Sequence, residues 1–151
     1  MLVRNPYRAI ISYWNFKTTL NQTGVVEKNT FDTPEFRNWV VTCIHRWFEL
    51  IDDWIKFGNE LYFVFYEDLK ENPVEEIRKL LQYLGLDVDE SRLACLSNYL
   101  TGPFQRIGET MDDPYAEEDH LLINNMVEKG EEILQNVLGR NFKLPAYKYT
   151  K

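Results

Sequence analysis

The sequence predicts a helix-rich α/β fold with few parallel strands. Two short β-prone runs, Met1-Leu2-Val3 and Leu61-Tyr62-Phe63-Val64-Phe65-Tyr66, are each followed closely by a helix start, the order expected of a parallel sheet with helices packed on it. Apolar stripes at helical period fill most of the remaining chain. At 151 residues the chain has the length of one domain. Two strands against five helices describe an incomplete sheet, and a strand that opens at its own carboxyl end implies part of something longer. The expectation is therefore one partial domain over residues 1–151, lacking its amino-terminal strands.

Each element has its own warrant. Asn5-Pro6 supplies the N-cap and first position of a helix through Ile10, Ile11, Tyr13 and Trp14, fading near Thr18. Residues 19–32 are polar, contain Gly24 and read as a mobile loop. Thr33-Pro34 caps a long helix whose stripe is Phe36, Val40, Cys43, Trp47, Leu50 and Trp54, with Gly58 at its end. The run from Leu61 to Tyr66 has the continuous apolar character of a strand covered on both faces. Tyr66, Glu67 and Asp68 then end the strand and hold the turn. Asn72-Pro73 with Glu75 forms a capping box for a helix that buries Ile77, Leu80, Leu81 and Leu84, and Gly85 is its terminator. Asp89 opens a shorter helix with Leu93, Leu96 and Leu100. Residues 101–112 are loop. Asp113-Pro114 caps a last helix reaching about Leu138, its Glu117, Glu118 and Asp119 set against the positive dipole end.

Composition narrows the function. Seventeen Lys plus Arg against twenty-four Asp plus Glu give a net charge of −7, which argues against nucleic-acid binding and leaves room for a small anion held by a few arginines. No run approaches the roughly 20 apolar residues of a membrane span, and the N-terminus shows no basic segment followed by an apolar stretch. Cys43 and Cys95 match no zinc spacing; they pair once or stay reduced. Asn21-Gln22-Thr23 is a glycosylation sequon that matters only in the secretory pathway. The acidic cluster Asp112, Asp113, Glu117, Glu118 and Asp119 fits no calcium loop and is read as helix capping, so no metal site is expected.

Two segments carry candidate chemistry. Arg4 stands at a strand's carboxyl end, directly before a helix N-terminus, where α/β sheets bind anions. A guanidinium there can grip a phosphate with paired hydrogen bonds, and Ser12 lies two turns into the following helix. In Gly102-Pro103-Phe104-Gln105-Arg106-Ile107-Gly108 the glycines permit close backbone approach, Phe104 offers a flat face to a base and Arg106 a charge to a phosphate.

Arg4-Asn5-Pro6 with Ser12, a strand ending Tyr66-Glu67-Asp68-Leu69, Asn72-Pro73 before a helix and Leu84-Gly85-Leu86, then Phe104-x-Arg106-x-Gly108, together resemble the sulfotransferases that use 3′-phosphoadenosine 5′-phosphosulfate. The pattern Leu2-Val3-Arg4-Asn5-Pro6-Tyr7, the segment Asp53-Trp54-Ile55-Lys56-Phe57-Gly58 and the late Asp113-Pro114-Tyr115 extend the resemblance to the sulfotransferase domain of WSC-domain-containing proteins, linked to sulfation of sialic acid on glycans.

The resemblance implies the C-terminal part of a P-loop-type three-layer α/β/α domain. It implies sulfuryl transfer from that nucleotide co-substrate to a hydroxyl, on a glycan or a small acceptor, or else a truncated module that binds nucleotide or a partner without catalysis. Arg4 and Ser12 match the pair on the nucleotide's 3′-phosphate. Phe104, Arg106 and Gly108 match the loop closing over the same phosphate and the adenosine, with Ile107 where many members carry Lys. The 5′-phosphosulfate loop and the usual base lie upstream in the family, so no catalytic residue is assigned, and His45 and His120 match neither. The acceptor-shaping loop is expected at residues 19–32. A partner chain or an amino-terminal half would cover the exposed sheet, and the Golgi lumen is the expected location of a full-length parent.

Overall fold

A computed structural model describes residues 1–97, 113–139 and 143–144. In chain order they form β1 (Leu2–Val3), α1 (Pro6–Thr19), a 3₁₀ turn (Lys28–Asp32), α2 (Pro34–Phe57), β2 (Val64–Phe65), α3 (Tyr66–Glu71), α4 (Pro73–Tyr83), α5 (Glu90–Ser97) and α6 (Glu117–Leu138). The chain divides into two compact units. One comprises Met1–Arg4 with Asn59–Gln105, the other Asn5–Gly58 with Arg106–Lys151.

The first unit is built on a two-stranded parallel sheet, with Leu2 opposite Val64 and Val3 opposite Phe65. The Val64 amide donates to the Met1 carbonyl at 2.9 Å, and the terminal ammonium donates to the Tyr62 carbonyl at 2.6 Å. Only Val64 and Phe65 of the expected run from 61 to 66 join the ladder. β1 offers just two residues to pair with, so 61–63 have no strand beside them, and Tyr66 already starts α3. Among the described residues of this unit the buried apolar side chains are Val3, Phe63, Phe65 and Leu93.

Asn72 does not cap α4 with its side chain. It is the residue after α3 as well as the one before α4, its amide committed to the Asp68 carbonyl, and Glu75 turns to Arg78 instead. The expected inner face of α4 is only half-buried at Ile77, Leu80 and Leu81, and Leu84 is exposed. The helix ends as anticipated. Gly85 takes φ +66°, its amide donates to Gln82 and the Leu86 amide to Leu81, the paired closure that a left-handed residue allows. Asp89 opens α5 by accepting from the Ser91 and Arg92 amides.

The second unit holds the main core. Asn5 caps α1 through the Tyr7 amide at 3.1 Å, and Thr33 caps α2 through the Phe36 amide at 3.3 Å. The buried stripe of α2 is Phe36, Trp39, Val40, Ile44 and Ile51. It departs from the expected line, because Cys43 is half-buried and Leu50 and Trp54 are exposed. Packing against both α1 and α6 sets which side of α2 is inward. Gly130 of α6 makes the close approach possible: an added Cβ would stand 3.0 Å from the Trp47 ring.

Residues 19–32 are more ordered than a mobile loop. Phe31 is buried edge-to-face on Phe36, and buried Asn15 holds the Val26 amide at 2.8 Å while donating to the Ile11 carbonyl. α6 begins at Glu117, three residues later than Asp113-Pro114 would start it. Asp113 accepts from the Tyr115 amide, and the buried Asp119 carboxylate accepts from the Ala116 amide at 2.9 Å while pairing with Arg37. Both cysteines are free thiols. Among the described residues no helix is long and apolar enough to cross a membrane.

Candidate functional site

In the first unit Arg4 leaves the carboxyl end of β1 half-buried, its guanidinium 4.3 Å above the Tyr66 ring. β2 fixes this geometry, since pairing of Val3 with Phe65 sets the residues that follow each strand on neighbouring paths. Stacking uses the flat face of a guanidinium, while recognition of a phosphate or sulfate uses its in-plane N–H edge, so the two are compatible. Tyr66 was legible only as a strand terminator; its additional task is to carry Arg4.

In the second unit the candidate groups lie along α1. Asn5 is buried and occupied with its cap, Ser12 is half-buried, and Arg8 is exposed four residues before Ser12 on the same helix face. Arg8 adds a cation to the serine face, and its i, i+4 spacing was the available signal. Phe104, Arg106 and Gly108 lie outside the described residues, as does Asp112.

A polar chain that sequence reading missed pins the first turn of α1. The Tyr7 hydroxyl meets His120 Nδ1 at 3.0 Å and donates to Asn124 Oδ1 at 2.9 Å, while His120 Nε2 lies 2.7 Å from Asp113. The Tyr115 hydroxyl donates to the Tyr7 carbonyl at 2.6 Å, with the two rings edge-to-face. Burial, helped by the negative charges of Asp113 and Asp119, pushes the Tyr7 phenol from 10.0 up to about 12. No local spacing reveals the contacts of Tyr7 with His120, Asn124 and Tyr115, which join residues more than a hundred positions apart. His45, by contrast, is exposed, and among the described residues it bonds within its helix, to the Val41 carbonyl. A separate groove of about 260 Å³ lies between α1 and α2, its lining including Ile10, Tyr13, Cys43, Arg46, Trp47 and Leu50. Its lining is mostly apolar, with Arg46 its one charged side chain.

A strand-end arginine stacked on a tyrosine, with a side-chain-capped helix next in the chain, sits in a fold of α/β class. The particular family follows from comparison. The sulfotransferase-domain profile matches residues 1–119, and the chain belongs to that family. It is 27% identical to rat Sulfotransferase 1A1 over 139 residues, covering 74% of this chain and 47% of that protein. Human Sulfotransferase 1C2 is 35% identical over 97 residues, covering 61% of this chain and 31% of its own length. A WSCD family member of Aedes aegypti is 29% identical over 145 residues, covering 93% of this chain and 44% of that protein. The chain thus spans less than half the length of these relatives. No solved structure matches it.

Proposed function

We propose that this chain handles 3′-phosphoadenosine 5′-phosphosulfate as a sulfuryl donor, with a hydroxyl on a glycan or small molecule as acceptor. The observation that carries the reading is Arg4, held half-buried at a strand end with its guanidinium on Tyr66, where its N–H edge suits the nucleotide's 3′-phosphate. Ser12 is proposed for the same phosphate. Phe104, Arg106 and Gly108 are proposed for that phosphate and the adenosine, on family resemblance. The wider architecture in this reading is the C-terminal part of a P-loop-type three-layer domain extending over residues 1–151, and its working location is the Golgi lumen.

In the reaction the acceptor oxygen bonds to sulfur, the sulfur–oxygen bond to the nucleotide's 5′-phosphate breaks, and the hydroxyl proton passes to a base. Arg4 contributes by fixing the nucleotide at the end remote from the breaking bond, so that remote binding energy orients the reacting one. No residue of this chain is assigned as the base.

The test is thermal denaturation with 3′-phosphoadenosine 5′-phosphate in millimolar excess. A ligand that binds only the folded state raises the midpoint by mass action, and Arg4→Ala is expected to abolish the rise. A wild-type curve that the nucleotide leaves unmoved contradicts the reading.

A further inference from the structure

We propose that Asn21 is an acceptor for an asparagine-linked glycan. The inference rests on the lumenal reading above only for where the modification happens; the acceptor itself is built from residues on the exposed turn after α1.

Leu20 ends α1 in the left-handed region at φ 54°, which turns the chain outward, and Asn21 is solvent-exposed. The Asn21 Oδ1 accepts twice from Thr23, from its amide at 3.0 Å and from its hydroxyl at 3.2 Å. The Asn21 backbone is held as well: its amide donates to Thr19 Oγ1, and its carbonyl accepts from that hydroxyl and from the Gly24 amide, each at 3.2 Å. Gly24 lies so close to Thr19 that an added Cβ would collide with the threonine side chain. The turn is therefore built largely from contacts two to five residues apart.

Chemically, both hydrogen bonds fall on Oδ1. They draw density from the carboxamide and ease loss of a proton from Nδ2, which has no hydrogen bond among the described residues. The hydroxyl and the amide that polarise the side chain both belong to Thr23, the third residue of the sequon. With a lipid-diphosphate-linked oligosaccharide as donor, Nδ2 bonds to the sugar's C1, the C1–O bond to the diphosphate breaks, the lipid diphosphate leaves, and one amide proton goes to the transferring enzyme's base.

The site also tolerates the bulk. α1 has 14 residues, so Asn21 stands about 21 Å along the helix axis from Asn5, and a glycan there leaves the helix N-terminus uncovered.

The experiment places the whole chain behind a cleavable signal peptide and translates it with endoplasmic-reticulum membranes, so that delivery is imposed rather than assumed. In the protease-protected fraction, wild type is expected to gain one endoglycosidase-sensitive mobility step. Asn21→Gln and Thr23→Ala are expected to lose it, and Thr23→Ser to retain it. Protected wild-type chain without the step, or a step that survives Asn21→Gln, overturns the proposal. Glycosylation under imposed delivery, combined with no glycan on the protein in its own cells, contradicts the lumenal reading instead.

Discussion

The two units solve the burial problem to different degrees. In the helical unit Phe36, Val40, Ile44, Ile123 and Leu134 are fully shielded from solvent, and aromatic contacts run from Phe31 through Phe36 to Trp14 and Trp39. In the sheet unit the ladder is two residues long, α4 buries nothing completely, and its ties among the described residues include the Tyr62–Tyr83 ring contact and exposed ion pairs joining Arg78 to Glu75 and Glu90. Arg4 belongs to this second, lightly buried set. Stability and candidate chemistry thus reside largely in different residues, and substitutions can separate them.

The largest effect is expected where the helical core is cut. Phe36→Ala should cost about 3–5 kcal/mol, read by urea denaturation, and a loss below 1 kcal/mol would mean that the apparent core carries little of the stability. Tyr7 tests the polar chain. Its folded-state proton is held up to about 12 rather than 10.0, so the contribution is complete below pH 10 and disappears as pH rises towards 12. Wild type should lose roughly 2–3 kcal/mol across that window, and Tyr7→Phe should flatten the profile. An unchanged profile would show that another group titrates there.

Arg37→Ala leaves the buried Asp119 carboxylate without its cation and the Pro114 carbonyl without its donor. With Arg37 itself partly exposed, the loss should be about 2 kcal/mol, less than the roughly 3–5 kcal/mol of a fully buried pair. The smallest effect is expected in the sheet unit. Arg78→Ala removes exposed pairs whose attraction water and salt screen, so the melting midpoint should hold at physiological salt. A clear drop would make that unit's surface charges structural and erase the contrast.

Much of this was legible in the sequence because it was local. Asn5, Thr33, Asp89 and Gly85 act as caps or terminators where their residue types predicted, and the strand–Arg–helix order at Arg4 stands as read. What escaped depends on partners distant in the chain. The length of β2 is set by how little β1 offers it, the inward side of α2 by α6, and the fate of Asn72 by the short α3 that uses its amide first. Tyr66 beneath Arg4, and Tyr7 with His120 and Asn124, are contacts across sheet and helix pairs that no spacing encodes.

The central claim is that Arg4 reads a 3′-phosphate. It is tested by titrating the chain with 3′-phosphoadenosine 5′-phosphate and with adenosine 5′-phosphate, which differs only by lacking that group. A charge-assisted contact of about 1.5–3 kcal/mol predicts that wild type prefers the first nucleotide by roughly tenfold or more, and that Arg4→Ala reduces that preference by roughly ten- to a hundredfold, leaving only what Ser12 and Arg106 supply. Equal binding by wild type, or a preference that Arg4→Ala leaves undiminished, would contradict the account.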